Sequence, residues 1–292
     1  MIRTSSGPLT GAILALSGAV LWGTTGTSQA LLTGSPAPLA VGGLRSCIGA
    51  AALLLFALPR GVVGRLRGLG RGTIGWLLLA GLCVALYQLT FFAAVSLAGV
   101  GVGTLVVLGT SPCFAGLASW ALRGLRPSRR WALATGLALT GAALLVGGGA
   151  EPPAPLGLAL ALVAGCAFGC YTVAGRQVAE AGVDGLTSTA AIFTLSALVL
   201  LAPMLGQSLT FAGHPRNLLV LAWLGVMATA LAYLLYQRGM ASIDAATAAT
   251  LALAEPMVAN LLAVFVLGEP FTWLMGVGVA LVLGGLGLLA RA

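Results

Sequence analysis

Only two ionisable side chains of this 292-residue chain fall well inside its long apolar runs, Arg45 and Glu255. A charge in hydrocarbon is costly and has to face the interior of a bundle, so each residue needs a partner or a ligand. A guanidinium matches a carboxylate and a carboxylate matches an ammonium, so the two could recognise a zwitterion, and Glu255 could instead exchange protons. A structural reading stands beside these: Arg45 would satisfy carbonyls or pair with Glu255 or Glu269 and so hold helices together. Because a guanidinium never loses its proton, the structural reading is preferred for Arg45, while the two readings stand level for Glu255.

Aromatic rings of membrane helices gather at the two surfaces, yet Trp22, Tyr87, Phe168, Tyr171 and Tyr233 sit near the middle of their runs. Tyr233, Tyr236 and Gln237 share a face at i, i+3 and i+4, and Gln88 follows Tyr87. A tyrosine hydroxyl facing lipid would lack a partner, so these faces point inward. As a set they suit a cavity for a flat, partly apolar ligand; for any one of them, interhelical packing is an equal alternative. Thr24, Thr25, Ser28 and Gln29 continue beyond Trp22. Pro112 and Pro256 lie at the centres of their runs, where each removes a donor and crowds the carbonyl four residues earlier, at Leu108 and Ala252. Both are therefore expected to act as hinges, by a kink or local unwinding.

Other chemistries find little support. The five cysteines lie in apolar stretches and behave as small hydrophobes; Cys166 and Cys170 are four apart, but no His or Asp is near, and the lone His214 is in a loop. No metal site and no cofactor is expected. The glycine run from Gly99 to Gly109 lacks the Gly-Lys-Ser/Thr ending of a phosphate loop. A membrane enzyme acting on lipids would need clustered carboxylates, histidines or a metal, and six scattered acids with one His do not supply them, so no catalytic residue is assigned.

The elements that must position these residues are set by composition. Hydrophobic residues make up 59% of the chain and charged ones 7%, with 43 glycines, and the mean hydropathy is +1.08. That is the profile of a polytopic membrane protein in contact with lipid, an all-α one because backbone groups in hydrocarbon must pair within their own segment. Apolar runs predict ten transmembrane helices, near 9–32, 38–58, 74–97, 101–122, 131–149, 156–178, 186–206, 217–239, 245–267 and 271–290. The first exceeds the apolar core of a secretory signal and is read as a retained helix. With both termini in the cytoplasm, 12 of the 14 arginines fall in inside segments, among them Arg3 and Arg291, and only Arg216 falls outside. The positive balance is thus a topology signal and no nucleic acid is expected. Trp76, Trp120, Trp131 and Trp273 fall at predicted span ends, as interfacial rings should. Small residues, such as Gly136, Gly141 and Gly147 in the fifth span and Gly276, Gly278, Gly284, Gly285 and Gly287 in the last, are read first as packing within the bundle, hence a monomer. Arginine-only, alanine- and glycine-rich usage points to a high-GC bacterial source and an inner (plasma) membrane.

The halves repeat. Gly11, Trp22 and Gly23 match Gly157, Phe168 and Gly169 at an offset of 146, Tyr87 matches Tyr233 at the same offset, and Pro112 matches Pro256 at 144. Five helices per half invert the second copy, which predicts two inverted five-helix repeats over 1–150 and 151–292, a midplane site between them and alternating access. The run from Ala245 to Glu255-Pro256, then Leu267-Gly268-Glu269-Pro270 and the glycine-rich last helix, resembles the EamA-type repeat of the drug/metabolite transporter superfamily. The first half carries the same plan in Trp22-Gly23, Arg45 and Ser111-Pro112, with Ser111 standing where the second copy has Glu255. The resemblance implies a ten-helix exporter of small metabolites, commonly amino acids. The rings sharpen the expected cargo to a large neutral or aromatic amino acid, with nucleosides or cationic drugs as the alternative.

Overall fold

The computed structural model describes residues 7–124, 126–146, 154–268 and 270–290. Arg3, Gly147, Glu269 and Arg291 lie outside the described residues. Helices α1 (Pro8–Ala30) and α2 (Pro38–Ala57) each begin on a proline, whose missing N–H is one of the four donors that a helix start leaves unpaired anyway. A short helix α3 (Val62–Arg67), absent from the sequence expectation, occupies the arginine-rich turn before α4 (Arg71–Ala98). Then come α5 (Val100–Arg123), α6 (Arg129–Val146), α7 (Pro155–Glu180) and α8 (Gly185–Leu205). The Asp184 side chain caps α8 by accepting from Thr187 N at 3.0 Å, and it also takes Arg65 Nη1 at 2.6 Å, tying the α3 turn to the start of α8.

The next span is composite: α9 (Pro215–Ala222), a π-helical stretch over Trp223–Leu231, and α10 (Ala232–Gly239). Thr229 Oγ1 donates to Leu224 O, five residues back, at 2.8 Å, which suits the wider π turn. The last elements are α11 (Ala245–Leu251), capped by Asp244, α12 (Ala254–Leu267) and α13 (Trp273–Ala290). Between α11 and α12 the helix breaks at Ala252 and Leu253, four and three residues before Pro256. Its relative Pro112 lies inside an unbroken α5. At Pro112 the carbonyl deprived of its usual donor, that of Leu108, accepts the Ser111 hydroxyl at 3.1 Å, which removes the need to unwind. The second copy carries Glu255 in place of that serine, and Ala252 O accepts from Glu255 N in a tighter turn.

The described residues are 86% helical and contain no strand. Among the described residues eight helical segments are long and apolar enough to cross a membrane, counting Pro215–Gly239 and Ala245–Leu267 as one each, and Trp273–Leu289 is a shorter apolar helix. The protein is an all-α, multi-pass membrane protein.

Inside the bundle α1 packs on α10 and α12, α7 packs on α4 and α5, α2 on α8, and α6 on α13. Among the glycines that allow close approach are one at the α1–α12 crossing and one at the α7–α5 crossing. A Cβ on Gly23 would lie 2.6 Å from Val258 Cβ and 2.9 Å from Glu255 O, and one on Gly169 would lie 2.8 Å from Phe114 Cβ and 2.9 Å from Ser111 O. Glycines of α6 and α13 meet at Gly141 and Gly278, and Gly285 approaches Ala134 and Ala138, whereas Gly136, Gly284 and Gly287 have nothing within 4 Å of a Cβ. Gly23→Ala is expected to lower stability by about 1–3 kcal/mol through overpacking. Gly26→Ala, with nothing within 4 Å of its Cβ, should lower it not at all. Thermal unfolding in detergent reads both, and equal loss at the two positions would refute the close-approach argument.

Candidate functional site

The crossing of α1 with α10 and α12, and of α7 with α4, brings the mid-depth rings into one cluster. Trp22 lies 4.6 Å from Tyr233, 4.9 Å from Tyr236 and 5.8 Å from Phe168, centroid to centroid. Tyr87 lies 5.4 Å from Phe168, and Tyr171 lies 5.9 Å from Tyr233. Trp22–Phe168 and Tyr171–Tyr233 meet edge-on, a geometry that aromatic quadrupoles prefer, and the other three pairs are tilted.

Four of these rings, Trp22, Tyr87, Phe168 and Tyr233, face a cavity of about 280 Å³. That is close to the lower limit of small-molecule pockets, roughly 300–1,000 Å³, and leaves room for one metabolite. Arg45 from α2 and Glu255 with Pro256 from α12 complete its charged and kinked wall. From there the cavity runs along Thr25, Gly26 and Gln29 of α1 toward Pro38, Val95 and Thr104, at the end of the bundle where the α1–α2 and α4–α5 turns lie.

Arg45 is 6% exposed. No carbonyl or carboxylate among the described residues accepts from it, and its Nε is enclosed without a partner. It forms no ion pair with Glu255, and the expected alternative partner Glu269 lies outside the described residues. Glu255 is half-buried and makes no side-chain hydrogen bond among the described residues. An arginine and a glutamate thus share one cavity wall with no ion pair or hydrogen bond between them among the described residues.

The remaining expected site residues lie elsewhere. Gln88 is buried behind the wall and donates from Nε2 to Ser46 Oγ at 2.6 Å, pinning α4 to α2. Gln237 donates to Gly175 O at 2.8 Å, pinning α10 to α7. Tyr171 and Tyr236 are buried beneath the ring cluster and do not line the cavity, and neither does Pro112. Thr24 turns to the π-helical stretch, where Trp223 Nε1 donates to it at 3.0 Å. Phe91, Phe92, Thr104 and Asn260 line the cavity although sequence reasoning did not name them. Phe91 was findable, since it stands four residues after Tyr87 on the same face. Cys83 of α4 adds its thiol to those of Cys166 and Cys170 on α7, a cluster that spacing along one helix does not reveal.

The model of the EamA-like transporter family matches residues 9–147 and again residues 155–291. The chain belongs to this family. It is 39% identical over 287 residues to the uncharacterized transporter YwfM of Bacillus subtilis, covering 96% of this chain and 93% of that one. An uncharacterized protein of Pseudomonas aeruginosa is 32% identical over 219 residues, or 74% and 72% of the two chains. A crystal structure sharing 23% identity superposes with a TM-score of 0.80 over 96% of this chain and 97% of its own, and so shows the same fold. The EamA-like chain is thus a multi-pass membrane transporter in lipid surroundings, with a small molecule as its cargo.

Proposed function

We propose that this EamA-like protein is a secondary transporter that exports amino acids, large neutral or aromatic ones first, from a bacterial cytoplasm across the inner membrane. The observation that carries this reading is the pairing of an unpartnered Arg45 with an unpartnered Glu255 on one wall of a ring-lined cavity. A neutral or cationic cargo would leave the Arg45 guanidinium buried without an acceptor; an amino acid brings a carboxylate to it, offers its ammonium toward Glu255 and lays an apolar side chain on the rings. Nucleosides lack the carboxylate, and cationic drugs would meet Arg45 as a like charge.

Transport proceeds by alternating access between two inverted five-helix repeats, with ten transmembrane helices and both termini inside. The helix pairings support this: α1 on α10 and α12 is answered by α7 on α4 and α5, while α2·α8 and α6·α13 pair each helix with its own relative. Pro256, at the α11–α12 break, is the stronger of the two hinge candidates. Counterflow in proteoliposomes with a panel of labelled amino acids, nucleosides and organic cations tests the substrate class, and exchange of nucleosides or cations without amino acids would overturn it.

The rings should show their role through cargo dependence. An aromatic contact contributes about 0.5–1.5 kcal/mol beyond area burial, so Trp22→Ala or Tyr87→Ala should weaken phenylalanine binding roughly three- to tenfold. Threonine, too small to reach both rings, should lose less. Equal losses for both, in proportion to folded protein, would assign the rings to packing.

A further inference from the structure

A second cavity, of about 400 Å³, lies at the other end of the bundle. On the orientation that the arginines predict, that end faces the cytoplasm. Its mouth is the turn between α5 and α6, with Arg126, Ser128 and Arg130, and its inner wall is Val173 and Gln177 of α7 with Ala245 and Ala246 of α11. Helices α5 and α7 line both cavities, and α11 of this one leads through the break into α12 of the other. From Phe168 to Val173 is five residues along α7, a rise of about 7.5 Å. The layer between them is fully buried and includes Ala248, Ala249, Thr250 and Ala252 together with Tyr171 and Tyr236. Thr135 Oγ1 is hydrogen-bonded to Thr250 Oγ1 at 2.9 Å, tying α6 to α11.

The charges of this second cavity are unevenly used. Glu180 accepts from Arg176 Nε at 2.9 Å, and Asp244 accepts from both the N–H and the hydroxyl of Thr247 at 2.8 and 2.6 Å. Arg130 spends only Nε, on Leu288 O at 2.9 Å, and Arg126 makes no hydrogen bond or ion pair among the described residues. Spare donors and cationic charge remain, while the carboxylates are already engaged, so the cavity favours an anionic group. Resting on the amino-acid reading of the central site, we propose that this cavity is a loading vestibule, in which the substrate carboxylate docks against Arg126 and Arg130 before the layer between the cavities opens. A lipid phosphate offers similar chemistry, but the inner wall belongs to α7 and α11, which lead on to the central cavity, and only Leu289 represents the outermost helix here.

The test is counterflow of L-phenylalanine in vesicles of both orientations, with Arg126→Gln and Arg126→Lys. On the arginine-rich face Arg126→Gln should raise the half-saturating concentration about two- to fivefold, as expected for one exposed charge contact. The opposite face should be unchanged, and Arg126→Lys should recover part of the loss. No change, or an equal change on both faces, would overturn the vestibule while leaving the central site standing. A change seen only in vesicles containing phosphatidylglycerol would assign the cavity to a lipid headgroup instead. A wild-type protein without L-phenylalanine counterflow would remove the amino-acid reading itself, and the vestibule with it.

Discussion

Arg45→Gln should abolish recognition of the amino-acid carboxylate while sparing ligands that lack one. A hydrogen bond to a charged group contributes about 1.5–3 kcal/mol, so the expected loss for L-phenylalanine is roughly ten- to 150-fold. Phenylethylamine, the same molecule without its carboxylate, should bind the variant at least as well as the wild type, because the guanidinium that opposes its ammonium is gone. Arg45→Lys keeps the charge but loses the planar fork, so it should fall between the two. Competition binding in detergent measures all three without requiring transport. A structural Arg45 predicts something different: both ligands would weaken together, and the amount of folded protein would fall with them. The absence of any acceptor on Arg45 among the described residues is what makes the first outcome the expected one.

Much of the scaffold was legible because lipid imposes strong rules on sequence. Helix was the only open-chain solution for apolar runs of about 20 residues. The prolines opening α1, α2 and α7 and the glycines Gly124 and Gly268, both left-handed just past α5 and α12, mark ends that agree with the runs to within a few residues. The mid-depth rings were legible as a group because the interfacial preference singles out those that break it. Which of them face the cavity was not, since Tyr233 and Tyr236 share a face by spacing, and only the crossing of α1 over α10 decides that Tyr233 reaches the wall while Tyr236 lies beneath it. The π-helical stretch at Trp223–Leu231 was invisible for the same reason, because no propensity separates π from α and the distortion is fixed by contacts such as Gly225 against Ile48. The different fates of Pro112 and Pro256 turn on the residue before each, Ser111 or Glu255, a difference present in the sequence whose consequence depends on which free carbonyl a hydroxyl can reach.

Glu255 is where transport would be driven. It begins the segment after the α11–α12 break, opens onto the cavity and has no hydrogen-bond partner among the described residues, so a proton can reach it from the same space as the substrate. Glutamine preserves its shape and cannot ionise. If Glu255 carries the exchanged proton, Glu255→Gln should abolish the acceleration that a pH gradient confers on transport while leaving exchange at equal pH largely intact, because exchange needs only reorientation of the loaded carrier. If its carboxylate instead holds the substrate ammonium, equal-pH exchange should fall as well, by roughly tenfold or more, the effect of losing a charged hydrogen bond of about 1.5 kcal/mol or greater. Both assays use the same proteoliposomes, with and without an imposed gradient. A gradient response identical to that of the wild type, at unchanged exchange, would take Glu255 out of both roles.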